Sequence, residues 1–242
     1  MRRIRFRSIT RNSFSRYLLY ATGEILLVVI GIIIALMLDD WHDRRVLEIE
    51  KKQYIKALIN DYTLDSLMLA DYIDRYIEIE HRLNELNQRA YQPGANIDTI
   101  ISIAQNDYIP ESDFISFYNT TTLKTIESTG KIELFDAKLR VEILKHLQYQ
   151  NLSIESQKND AESINSKVDE YTNKYKIGSG SNTEGTYLHN ISWKIENERE
   201  FVVLFTETIG INRLVAEFWI NQYRSLLEET ERMIELLREA EH

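Results

Sequence analysis

Cysteine is absent from the 242 residues, which removes disulfides, thiolate metal sites and cysteine nucleophiles together and leaves the compartment open. Proline occurs twice and glycine eight times, so residues that interrupt helices are scarce, while Leu, Ile, Glu, Lys, Arg, Asn and Tyr are plentiful. An all-α fold is the expectation. Positive charge is scarce beyond the first turns of the chain: the net charge is -9, yet residues 1–16 hold six arginines and no acid, so the remainder carries about -15. A body that acidic argues against nucleic acid as a partner. No Ser/His/Asp arrangement is identifiable, and the glycine-rich GSGSNTEG lacks the Lys-Ser or Lys-Thr pair of a phosphate loop. We therefore expect no enzyme and no cofactor.

What the chain does have is one long apolar run. Leu18 to Leu38 is 21 residues with a single formal charge. As a helix it spans roughly 31 Å, matching a hydrocarbon core of about 30 Å. A cleaved signal peptide is the rival, because arginines precede the run. The run ends ALMLDDW without a small-x-small cleavage site and carries Glu24 inside it, so an uncleaved single-pass anchor is expected. Arg2, Arg3, Arg5, Arg7, Arg11 and Arg16 precede the span, and Asp39, Asp40 and Asp43 follow it. That asymmetry predicts a cytoplasmic N-terminus and a remainder outside the cytoplasm, which in a Gram-negative bacterium means an inner-membrane anchor and a periplasmic body. Tyr17 and Tyr20 at one end and Trp41 at the other suit the interfacial aromatic belts. The domains read as a leader at 1–16, a transmembrane helix at 17–40 and an extracytoplasmic helical bundle at 41–242.

Glu24 shares a helical face with Val28, Gly31 and Ala35, and Gly31 with Ala35 makes the small-xxx-small pattern of close helix packing. An ionised carboxylate at that depth costs on the order of 3 kcal/mol, so Glu24 should be protonated or face protein. Two roles stay open: a bond that fixes register with another helix, and a proton-responsive group.

The run FSRYLLYATGEILLVVIGIIIALMLDDW resembles the N-terminal signature of an uncharacterised Bacteroidetes family of single-span membrane-anchored proteins. An Arg-rich leader, a Phe-Ser-x-Tyr-Leu element, Gly-Glu, a Val-Ile-Gly-Ile core and a following Trp carry the resemblance over residues 14–41. KTIESTGKIELF, residues 124–135, is a weaker echo of a Lys-Ser-x-Gly segment. Relatives commonly have Asn-Asn before the Trp, where this chain has Asp39 and Asp40. The resemblance implies topology and helical architecture and supplies no activity.

Beyond the span, residues 41–91 lack Gly and Pro and read as one long helix. Ile55, Ile59, Tyr62, Ser66, Leu69, Ile73, Tyr76, Glu80, Leu83, Asn87 and Ala90 fall at alternating four and three spacings. A second rod at about 136–176, with Asp136 as N-cap, carries Ile143, Leu147, Gln150, Ile154, Gln157, Ala161, Ile164, Val168, Tyr171 and Tyr175. A third at 198–241 carries Phe201, Leu204, Phe205, Leu214, Val215, Phe218, Trp219, Leu226, Met233, Leu236 and Leu237, with Gly210 as a kink point. Residues 95–135 are a broken return, with TTT and KIELF open to a strand reading, and 177–190 is a loop. Three rods and a segmented return predict an up-down-up-down bundle, elongated and coiled-coil-like. Stripes two residues wide per heptad, interrupted by Glu80, Asn87, Gln150 and Gln157, suggest seams for self-association as well as an imperfect monomeric bundle.

Glu78 and His81 form a Glu-x-x-His pair, but a di-iron bundle needs a second such pair inside the bundle, and His146 and His189 lack an acid three residues earlier. His81 reads as a surface residue beside Glu85, and His42 as an interfacial one. Tyr187 and His189, next to the glycine-rich loop, are candidates for contact with a partner. The expected function is a membrane-anchored structural or interaction protein that assembles with itself or an envelope protein. The alternative is a sensory or regulatory input that relays through a partner's membrane helix.

Overall fold

The computed structural model describes residues 11–111, 113–175, 186, 187, 191 and 193–241, with side chains from Tyr17 onward. Helices account for the regular structure: α1 (Arg11–Tyr91), α2 (Ile97–Ser102) continuing into a π-helical turn (Ile103–Asp107), α3 (Thr121–Ser128) followed by a 3-10 turn (Lys131–Leu134), α4 (Ala137–Thr172) and α5 (Glu198–Glu241). No strand occurs among the described residues, and the fold is all-α. The TTT and KIELF segments, open to a strand reading, lie in α3 and the 3-10 turn.

The chain divides into two compact units, Met1–Gln53 and Tyr54–His242. In the first, α1 is bare: residues 17–49 are exposed except half-buried Ala21. One stretch of α1 is long and apolar enough to cross a membrane, and none of it is buried against protein.

The second unit holds the core, in three clusters stacked along the helices. The first joins Ile55, Leu58 and Tyr62 of α1 to Leu123 and Ile126 of α3, the start of α4 at Leu139 and Ile143, and the end of α5 at Met233 and Leu237. The third joins Leu83 and Leu86 of α1 to Ile100 and Ile103, the end of α4 at Tyr171, and the start of α5 at Phe201 and Phe205. Successive segments therefore run in alternating directions, the up-down-up-down order of a four-layer bundle. Each fully buried Leu or Ile in it contributes roughly 1.5–3 kcal/mol relative to exposure.

Local chemistry sets the joints. α1 ends just before Pro93 and Gly94, where Gly94 takes φ +94, a region that costs little without a Cβ. Asn96 opens α2 with a capping box: its side chain accepts from Thr99 N–H, and the Thr99 hydroxyl accepts from Asn96 N–H. Gly130, at φ +70, stops α3. Asp136 caps α4, its carboxylate accepting from Leu139 N–H at 3.0 Å.

Several seam positions differ from the sequence reading. On α1 Leu58, Asp65 and Leu86 are buried where the four-three count places Ile59, Ser66 and Asn87, which sit half-buried with Glu80 at the edge of the stripe. The seven-residue repeat Ile55, Tyr62, Leu69, Tyr76 and Leu83 stays buried throughout, and the second buried position falls three residues after it at Leu58, Asp65 and Leu86 but four after it at Ile73. On α5, Leu214 and Phe218 face solvent, and Thr208, Asn212, Ala216 and Tyr223 are inside. The buried set of α5 is wider than two residues per heptad, as in a globular bundle rather than a coiled-coil seam. α5 is one helix through Gly210.

Candidate functional site

Three polar layers cross the apolar core, and an open trough lies beside them. The first layer is built on Asp65 of α1, which is fully buried. Its Oδ1 accepts from the Asn119 backbone N–H at 2.9 Å and from Asn119 Nδ2 at 2.7 Å, and its Oδ2 accepts from Gln150 Nε2 at 2.8 Å. One turn earlier, Asp61 accepts from Thr122 N–H at 3.3 Å. The Thr120 side chain does not cap α3, so these two carboxylates on α1 serve its N-terminus instead. The partial positive charge there favours them. Burial raises the Asp65 pKa, and the hydrogen bonds from Asn119 and Gln150 oppose that rise. All its partners donate, which suits the ionised form.

Against this layer sit Tyr62 of α1 and His146 of α4, edge to face with ring centroids 4.8 Å apart. Neither the Tyr62 hydroxyl nor either imidazole nitrogen has a hydrogen-bond partner among the described residues. Burial pushes the imidazole pKa down to about 4, with Glu229 pulling it up and Arg232 pushing it further down. Burial also raises the Tyr62 pKa, helped by Asp65 and Asp61. His146 is thus a neutral imidazole at physiological pH.

The second layer centres on Gln157. Its Oε1 accepts from Ile115 N–H at 2.9 Å and from the Tyr223 hydroxyl, and its Nε2 donates to Ser153 Oγ at 2.8 Å. One side chain so ties the return segment, α4 and α5 together. In the third layer Asn212 Nδ2 donates to the Tyr108 hydroxyl at 2.6 Å. These bonds satisfy buried groups and fix which helix faces which.

The trough runs between α4 and α5, with a volume of about 600 Å³. Buried Trp219 and Leu226 lie at its base with half-buried Ser153 and Ser156, and exposed Tyr149, Leu152, Phe218, Gln222 and Ser225 stand along it. Glu228, Glu229 and Arg232 close one end. The Arg232 guanidinium donates to Glu142 at 2.7 Å and to Glu229 at 2.8 Å, and hydrogen bonding to it lowers both carboxyl pKa values.

The residues singled out from the sequence lie elsewhere. Glu24, Val28, Gly31 and Ala35 share one exposed face of α1, and a Cβ on Gly31 meets nothing within 4 Å. Tyr17, Tyr20 and Trp41 are exposed, and the Arg45 guanidinium lies 5.4 Å from the Trp41 ring centroid. The side chains of Arg2, Arg3, Arg5, Arg7, Arg11 and Arg16 fall outside the described residues. Tyr187 is 78% exposed, and His189 lies outside the described residues. His81 is exposed, with Nδ1 3.6 Å from Glu85. No cluster of three or more His, Asp or Glu suited to a metal occurs among the described residues.

Sequence reasoning missed Asp65 and the trough. A signal for Asp65 existed: it stands between Tyr62 and Leu69 at spacings of three and four, an inner position once the stripe is centred on Leu58. Comparison with family profiles, curated proteins and solved structures finds no match to this chain.

Proposed function

We propose that this chain is a membrane-anchored interaction protein that presents a helical bundle outside the cytoplasm and assembles with itself or an envelope partner. The observation that carries the reading is the contrast within α1. Its apolar stretch buries nothing against protein, whereas from Ile55 onward the helix is built into a core whose polar layers are largely paired internally. A bare apolar helix of that length is stable in lipid, where its backbone bonds are satisfied internally. The arginine excess before the span and the aspartates after it support a cytoplasmic N-terminus. The N-terminal signature supports membership of the single-span family it resembles. The polar groups of the core are taken up in pairing helix with helix, which supports an interaction role.

The test is a topology reporter fused after residue 242, with alkaline phosphatase and a fluorescent protein as opposite readouts. The expected outcome is an active phosphatase and a dark fluorescent protein, in a chain that resists carbonate extraction from membranes. A fluorescent, phosphatase-inactive fusion overturns the orientation, and release by carbonate overturns the anchor.

A further inference from the structure

The α4/α5 trough stays open although residues that hold the bundle together, Trp219, Leu226 and Ser153, lie along it. Two packed helices normally close their shared face with interlocking apolar side chains. Here Ser153, Ser156 and Ser225 leave the face open, while Tyr149, Leu152 and Phe218 stay 57%, 52% and 46% exposed along it. Its base is fixed from behind. Trp219 Nε1 donates to Asp160 at 2.9 Å, and Ser153 is held by Gln157. Ser156, Gln222 and Ser225 make no side-chain hydrogen bond within the described structure, so their hydroxyl and amide groups are available along the trough.

The charged end is unbalanced. Arg232 is already held between Glu142 and Glu229, and Glu228 has no cationic partner among the described residues. Glu142 is shared between Arg232 and Lys145, which leaves Glu228 as the carboxylate open to a further cation, with the Tyr149 ring also lining the trough. From Phe218 to Arg232 the trough follows about four turns of helix, roughly 21 Å, which an extended chain covers in about six residues.

We propose that the trough is a docking site for an extended peptide segment of a partner protein. That segment has a basic side chain at the Glu228 end, its backbone on Ser156, Gln222 and Ser225, and an aromatic side chain against Phe218. The proposal rests on the interaction role above and supplies the partner's chemistry. Polar groups that bond main chain along a trough, with side-chain contacts at either end, are the division of labour by which extended peptides are recognised.

The experiment uses the full chain in nanodiscs of phosphatidylcholine, with fluorescence anisotropy of dye-labelled hexapeptides and empty nanodiscs as the blank. The probes are Lys-Ser-Gly-Ser-Ala-Phe, the same residues in reverse order, and versions with Glu for Lys or Gly for Phe. One of the two Lys/Phe peptides should bind saturably, and either replacement should weaken it by about tenfold. Glu228→Lys should invert the preference between the Lys and Glu peptides. Ser225→Trp, which fills the trough from an exposed position, should remove binding. Absence of saturable binding to any probe, or binding indifferent to both substitutions, overturns the docking site. If the topology reporter reads cytoplasmic while trough-dependent binding persists, the orientation falls and the site stands. A periplasmic reporter without binding overturns the site alone.

Discussion

His146 should make the bundle acid-labile, and the size of the effect follows from its surroundings. The imidazole is fully buried with both nitrogens unpartnered, and its pKa falls from 6.5 in the free side chain to about 4 in the fold. A basic group with a depressed folded pKa is protonated in the unfolded chain before it is protonated in the native one. Between pH 6.5 and 4 the unfolded state therefore binds the extra proton, and stability falls as pH falls through that window. Working the two titrations together gives a loss of about 2 kcal/mol by pH 5 and about 3 kcal/mol by pH 4.

Asp65 acts in the opposite sense. Its folded pKa is raised, so the native state takes up the proton first, and lowering the pH through its folded value relieves the cost of a buried charge. A single acid titration of the parent protein mixes the two. The difference between parent and His146→Leu isolates the imidazole, because Asp65 titrates in both.

Urea unfolding of the full chain in detergent micelles, followed by tryptophan fluorescence and far-ultraviolet circular dichroism, measures that difference. At pH 7.5 the variant should lie within about 1 kcal/mol of the parent, since leucine replaces a neutral ring whose nitrogens make no bond. At pH 5 it should be the more stable by about 2 kcal/mol beyond that offset. Parallel stability curves from pH 7.5 to 4.5 would show that His146 is solvated in the native protein, and would refute the reasoning.

Two further substitutions probe the buried carboxylate and the membrane helix. Asp65→Ala leaves three donors, from Asn119 and Gln150, without an acceptor, and should cost on the order of 3 kcal/mol in the same urea assay. Asp65→Asn, which keeps an acceptor for Asn119, should cost less than half as much. For Glu24, a register bond between membrane helices predicts that Glu24→Gln preserves crosslinked assembly in native membranes and Glu24→Leu weakens it. Loss of partner function in Glu24→Gln with assembly intact points to proton chemistry instead.

The helices were legible in the sequence because their punctuation is chemically unambiguous. Pro93 with Gly94, Gly130 at a left-handed turn and Asp136 as an N-cap each act within a few residues of themselves. The rest depends on distant neighbours. Phe218 reads as core from its pattern, but it stays 46% exposed along the open trough beside α4. Asp65 reads as surface from its charge, until Asn119, 54 residues away, and Gln150, 85 residues away, bring it their donors. Hydrophobic spacing marks which residues are able to enter a core, while polar residues enter only where the fold delivers their partners.

The same logic assigns the two kinds of polar feature different work. Asp65, Gln157 and Asn212 sit where a one-turn slip of any helix would leave donors without acceptors in an apolar interior. Their bonds therefore select one register among several that the leucines and isoleucines would tolerate. Ser156, Gln222, Ser225 and Glu228 have no such obligation, and any slip leaves them as free as before. Substitutions in the first set should move stability, whereas substitutions in the second should move binding and leave stability within about 0.5 kcal/mol. A Ser225→Trp variant that unfolded with the first set's cost would place the trough within the bundle's own packing and end its claim to a partner.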